Sequence, residues 1–312
     1  MLSQETTTQF YTWNGYQCAY EVYESHAVNE SSSVALLLIH PIGVGLSRQF
    51  WDRFCQQWQG RGRLETVYNP DLLGCGESAL PRAAYGPEDF AGPLKTLIET
   101  VIKKPVVVVV QGASFPIALE LLALKPSPEI AGLILAGPPP LSLITEARSR
   151  RQQKLLWNLF NSPLGGLFYR YARRRNFLWS FSIRQLFAKE DDVDSHWLNM
   201  LKAGAQDLET RHAVFSFLAG FWRKNYESAI ASISQPTLVL MGDSASSISE
   251  ERQSESPQQR MEHYCRVLPN GQGKILPGRN VLPYESTTAF TSACEAFLAS
   301  LQQVFIHQAK NY

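Results

Sequence analysis

Apolar residues in this chain arrive in short, unbroken runs separated by turn residues. Residues 34–39 (Val-Ala-Leu-Leu-Leu-Ile) and 106–110, five consecutive valines, contain no polar alternate. That is the pattern of strands covered on both faces of a parallel sheet. Residues 66–69, 130–136, 237–241 and 273–276 read as further strands. Residues 18–23 alternate and are aromatic, as in an edge strand, and follow the turn Trp13-Asn14-Gly15-Tyr16. Residues 87–103 open with a proline and repeat apolar side chains at Phe90, Leu94, Leu97, Ile98, Val101 and Ile102, which predicts an amphipathic helix. Residues 115–122 predict another. Helices alternating with buried strands imply a doubly wound, mostly parallel α/β sheet. Residues 138–232 break this rhythm, being helix-rich and aromatic without a convincing strand. The expected division is an α/β core over residues 1–137 and 233–312, with an inserted helical cap over 138–232.

Composition narrows the setting. The 312 residues are 45% hydrophobic and 18% charged, ordinary for a globular chain. A chain of this length buries roughly 75% of its unfolded surface and needs no staples. The net charge of +1 is not that of a general nucleic-acid binder. The first eight residues are polar and lack a basic-then-apolar leader, and no run of about 18 apolar residues occurs. Cys18, Cys55, Cys75, Cys265 and Cys294 are scattered and odd in number, which reads as free thiols. The expected setting is the cytoplasm or another reducing, soluble compartment, with peripheral membrane contact as a further option. No metal, nucleotide or redox-cofactor motif is present, so no cofactor is expected.

Four segments carry candidate chemistry, each after a predicted strand: His40-Pro41-Ile42-Gly43 with Trp51 downstream; Asp71-Leu72-Leu73-Gly74-Cys75-Gly76-Glu77-Ser78; Gly112-Ala113-Ser114-Phe115-Pro116; and Pro277-Gly278-Arg279-Asn280-Val281-Leu282-Pro283-Tyr284-Glu285. In this order they resemble the landmarks of the α/β-hydrolase superfamily, in the branch whose lid follows the sixth core strand. The resemblance covers nearly the whole chain. A looser similarity is to α/β-hydrolase proteins of photosynthetic organisms, a group that includes chlorophyll phytyl-ester hydrolases. The resemblance implies that Ser114 is the nucleophile of a strand–turn–helix elbow. It implies that the backbone N–H groups of Ile42 and Phe115 form the oxyanion hole, and that His40 holds its loop by hydrogen bonds. Pro116 stands where the family has a small glycine, and it biases Phe115 away from helical geometry.

The partners of Ser114 are missing from their expected places. The acid position of the segment Gly242-Asp243-Ser244-Ala245 holds Ala245, and the histidine position holds Val281. Neither side chain can bind or pass a proton, so both triad positions are degenerate. His40 and His263 are the candidate substitute bases. In the cap, Arg148, Arg150, Arg151, Lys154, Arg170, Arg173, Arg174 and Arg175 occur with no acid among them, interleaved with aromatic residues. This pattern suits either a lid with an apolar underside and a basic rim, or a solvated basic face over an aromatic core.

Three functions remain open. The first is a non-hydrolytic or strongly impaired member that binds an apolar or ester-like ligand between cap and core. The second is a serine esterase or lipid-ester hydrolase acting through Ser114 with a relocated base. The third is a scaffold whose cap meets a membrane or a protein.

Overall fold

The computed structural model describes residues 7–24, 32–246 and 255–309. Eight strands form one sheet: β1 (Gln9–Trp13), β2 (Tyr16–Tyr23), β3 (Ala35–Ile39), β4 (Val67–Pro70), β5 (Val106–Gln111), β6 (Ile130–Ala136), β7 (Thr237–Gly242) and β8 (Gly271–Leu276). Their order across the sheet is β1-β2-β4-β3-β5-β6-β7-β8. β2 runs antiparallel to both β1 and β4, and the remaining pairs are parallel. The expected α/β class and the expected strands are present, with ends shifted by one or two residues. β1 is an addition. Its sequence, Gln-Phe-Tyr-Thr-Trp, was legible only as the approach to the turn at Asn14-Gly15, whose residues have φ of 47° and 82°.

The valine run shows why the sheet is covered on both sides. Side chains alternate along a strand. Val106, Val108 and Val110 join a core with Leu37 and Ile39 of β3. Val107 and Val109 join the opposite core with Leu36 and Leu38. Helices α1 (Asp52–Gly60), α2 (Pro87–Leu97) and α3 (Phe115–Ala123) supply these layers. Leu94, Leu97 and Leu121 lie on the first face, and Phe54 lies on the second with Phe290 and Leu298 from the carboxy-terminal helix.

Between β6 and β7 the chain is helical throughout: α4 (Leu141–Thr145), α5 (Arg150–Phe160), α6 (Pro163–Ala172), α7 (Arg175–Phe181), α8 (Ser195–Gly204), α9 (Arg211–Ala219) and α10 (Glu227–Ala231). Then α11 (Pro257–Val267), α12 (Leu282–Glu285) and α13 (Thr287–Ala309) complete the chain. The α4–α10 segment rests on the edge of the sheet where the parallel strands end. Gly45, in the loop after β3, and Gly204, ending α8, lie back to back. A Cβ on Gly45 would sit 1.8 Å from the Leu201 carbonyl oxygen, and one on Gly204 would sit 2.3 Å from that of Gly45. Ser216 Oγ of α9 accepts a hydrogen bond from Tyr85 N–H at 2.9 Å.

Gly45 also has φ of 77°, so a side chain there is strained twice over. Gly45→Ala should lower the unfolding free energy by about 2–4 kcal/mol. Urea unfolding followed by far-ultraviolet circular dichroism measures this. An unchanged midpoint would mean that the close approach of the two loops is not needed.

Candidate functional site

Parallel α/β sheets place their chemistry where the strands end, and four loops meet there. The loop after β3 starts with His40, which is fully buried. Its Nε2 accepts a hydrogen bond from Leu72 N–H at 3.0 Å, so Nδ1 carries the proton and donates to the Pro41 carbonyl at 2.9 Å. Burial holds the ring below its usual pKa, outweighing the raising influence of Asp71. His40 therefore sits neutral with both nitrogens committed. The expected substitute base is absent at this position, because no imidazole lone pair faces Ser114.

Asp71 stitches the same region together. It is buried and accepts from the backbone N–H groups of Arg48 and Glu77, each at 2.8 Å, and from the Arg48 guanidinium. Arg48 also pairs with Glu21 at 3.0 Å and with Glu77. Gly76, at φ 54°, leaves the room this requires, since a Cβ there would lie 2.2 Å from the Asp71 carboxylate. The Asp-x-x-Gly-x-Gly-x-Ser segment is thus a structural clasp around a buried ion pair. Arg48 escaped the sequence reading because nothing local marks an arginine as buried.

The turn after β5 departs most from expectation. The residue with positive φ is Gly112, at 60°. Ser114 has φ −80° and ψ −4°, ordinary helical values, and it precedes α3 directly. A strained elbow holds its nucleophile on the sharp turn itself. Ser114 lies two residues past that turn, is 2% exposed, and donates its Oγ–H to the His40 carbonyl at 2.9 Å. The expected oxyanion donor Phe115 also changes role, since its N–H bonds Gly112 O within the tight turn. A Cβ added at Gly112 would meet only the Gly137 carbonyl, at 4.0 Å, so the turn glycine faces open space.

The other two loops bring Ala245 and Val281 to the same edge, both nearly fully buried. Around them runs a hydrogen-bond network that residue types alone did not announce. Asn280 Nδ2 donates to Gln185 O at 2.7 Å and to Ser246 O at 3.1 Å. Its N–H donates to Leu186 O at 2.9 Å, and its carbonyl accepts from Gln111 Nε2 at 2.7 Å. Asn280 thereby ties β5 and the loop after β7 to the segment between α7 and α8. Glu285 accepts from Arg279 N–H at 2.7 Å and from Ala188 N–H at 2.6 Å, closing the same seam. His263, the second candidate base, lies on α11 with its ring 45% exposed and paired to Glu255 at 2.5 Å. His212 is buried in α9 and bonds Glu209 at 3.0 Å. His26 lies outside the described residues, as do residues 247–254 of the polar loop.

Ile42 and Ala113 line a cavity of about 10 Å³ beside Tyr85, Phe90 and Phe217. That volume holds roughly one water, against about 300–1,000 Å³ for pockets that take small molecules. Among the described residues no group of three or more His, Cys, Asp or Glu side chains could hold a metal ion. None of the described helices is long and apolar enough to cross a membrane.

A sequence profile of the alpha/beta hydrolase family matches residues 36–293. The chain belongs to the alpha/beta hydrolase family. No curated protein matches it in sequence. Among solved structures it is similar to a thermophilic esterase from Thermogutta terrifontis with malate bound, at 19% identity and TM-score 0.68, over 96% of this chain and 99% of that one. It is similar to the serine hydrolase CarC, involved in carbazole degradation, at 18% identity and TM-score 0.70, over 94% and 99%. It is also similar to the enol-lactonase of Burkholderia xenovorans LB400, at 14% identity and TM-score 0.69, over 93% and 100%. At such identities the likeness establishes the α/β-hydrolase fold.

The buried neutral His40 couples stability to pH. Its folded pKa lies below the unfolded value of about 6.5. As pH falls through that value, the unfolded chain takes up a proton that the folded chain refuses, so stability is lost toward acid. Between pH 7 and pH 5 the stability of the parent should fall more steeply than that of His40→Gln, by up to about 1.4 kcal/mol per pH unit. Urea titrations of both at several pH values test this. Parallel slopes would contradict it.

Proposed function

We propose that this alpha/beta hydrolase-family chain does not hydrolyse esters. Its α4–α10 segment is a cap that seals the sheet edge on one side and provides a binding surface on the other. The observation that carries this reading is the turn after β5. The residue there with the elbow's strained backbone is Gly112, which has no side chain to attack with. Ala245 and Val281 remove the acid and the base from the same edge, so all three triad roles are vacant together. Serine hydrolases stripped of their triad keep only roughly 10³–10⁴ of rate over water, from the oxyanion hole and binding.

The alternative, hydrolysis through Ser114, asks a hydroxyl committed to His40 O to find a base. His40 has no free nitrogen, and His263 is paired with Glu255. An apolar or ester-like ligand between cap and core would also require the cap to part, given the size of the cavity.

A fluorophosphonate probe followed by intact mass tests the reading. The parent chain should stay unlabelled under conditions that label a working serine hydrolase completely. Stoichiometric labelling lost in Ser114→Ala would overturn it. Gly112→Ser should fold with a loss of roughly 1–2 kcal/mol for the left-handed residue, and should also stay unlabelled. The triple variant Gly112→Ser, Ala245→Asp, Val281→His should gain measurable labelling. If Gly112→Ser alone labels rapidly, a base is present at this edge and the vacancy of that role is overturned.

A further inference from the structure

The outward side of the cap carries a surface with an unusual combination of chemistry. Seven of the eleven large hydrophobic side chains exposed in the described chain fall between Leu155 and Trp179. Singly exposed leucines need no explanation, but such concentration does. No residue of α5 is buried. Leu155, 71% exposed, and Leu159 stand one helical turn apart on one face of α5. On α6, Leu164 and Leu167 are 67% and 60% exposed, with Tyr171 one further turn along, and Trp179 projects from α7. The inward side chains of the same helices are different residues. Tyr169 packs on Phe215 of α9, with Trp157 and Phe160 against them. These side chains form an aromatic core among the helices themselves, and a second apolar set looks outward.

The stretch of chain that carries that face has charge of one sign. Between Ala147 and Lys189 the chain carries ten lysines and arginines and no acid. Arg150, Arg151, Lys154 and Arg170 are exposed. Arg174, Arg175 and Arg184 line an open cavity of about 590 Å³ together with Tyr171 and Ser180. These three arginines pair with no carboxylate among the described residues. Their anchoring is lighter: Arg175 Nη1 donates to Asn199 Oδ1 at 3.2 Å, and Arg184 Nε donates to Ser180 O at 3.1 Å. Each guanidinium has five N–H donors, so most remain available to an anionic oxygen.

We infer that the α5–α7 face docks on a membrane surface carrying anionic lipid. Leu155, Leu159, Leu164 and Leu167 enter the boundary between headgroups and acyl chains, with Trp179 at the interface. Arg174, Arg175 and Arg184 hold a lipid phosphate. The acid-free stretch between Ala147 and Lys189 supplies apolar area and positive charge together, as interfacial amphipathic helices do. Basic groups at an anionic leaflet add about fivefold in affinity each, and salt screens them. This deepens the binding half of the proposed function. It is independent of the catalytic half, because vesicle binding reads nothing of hydrolysis.

The test uses the full chain and vesicles of phosphatidylglycerol and phosphatidylcholine mixed 30:70, with pure phosphatidylcholine for comparison, read by sedimentation and tryptophan emission. The mixed vesicles should bind, less tightly as sodium chloride is raised, with a blue shift that Trp179→Phe reduces. Exchanging Arg174, Arg175 and Arg184 for Gln should weaken binding by on the order of a hundredfold. Leu164→Ser with Leu167→Ser should weaken it at least roughly tenfold. All five positions sit on the surface, and an unchanged melting curve confirms that each variant folds. Absent binding, equal binding to both vesicle types, or indifference to both sets of substitutions would overturn the proposal. So would a stable dimer dissolved by the leucine substitutions, because the face would then belong to a second copy of the chain. A chain that reacts with the fluorophosphonate probe yet binds these vesicles loses the catalytic reading and keeps this one.

Discussion

Everything at the working edge of this molecule follows from the burial of β5 along its whole length. Val106 to Val110 pack on both sides, with β3 and β6 as hydrogen-bonded neighbours. A strand so enclosed cannot drift out through a loose loop, because its backbone groups would be left unpaired in an apolar layer. The chain must turn sharply and return as a helix, and Gly112 makes that turn with a positive φ. Ser114 then falls inside the structure and bonds the His40 carbonyl. The His40 ring in turn holds Leu72. Three loops that could have carried mobile side chains are joined by these bonds.

The same logic runs through the rest of the edge. Here the Asp71 carboxylate is filled by two N–H groups and Arg48. Asn280 makes four hydrogen bonds across three segments. Removing one partner from such a buried network costs more than the bond itself contributes, because the survivor is left desolvated and unpaired. The network therefore fixes the segment between α7 and α8 to the sheet edge.

How much could be read from the sequence depended on the range of the interaction. Unbroken apolar runs needed nothing beyond themselves, since a stretch without polar residues has to be covered on both faces. β3, β5, β6 and β7 were legible for that reason. The inability of Ala245 and Val281 to act as acid or base was legible too, because a methyl or isopropyl group cannot transfer a proton in any environment. β1 was not legible, because its strand character comes from pairing with β2 and not from its own pattern. The outward leucines of α5 and α6 were equally silent, since exposed and buried leucines look alike until the packing partners are known.

The sequence by itself determined the fold class, the order of the landmarks, the apolar residues at positions 245 and 281, and the acid-free basic stretch between Ala147 and Lys189. Each of these is a property of residue identity or of local spacing. Only the tertiary structure decided which residue carries the sharp turn. Gly112 and Ser114 stand together in a Gly-x-Ser pattern that is the same string whether the strand ends before the glycine or runs past it. The register of β5 against β3 and β6 sets that end point. It puts the positive φ on Gly112 and one ordinary helical turn on Ser114, because hydrogen bonds to neighbouring strands, distant in sequence, determine where a buried strand can stop.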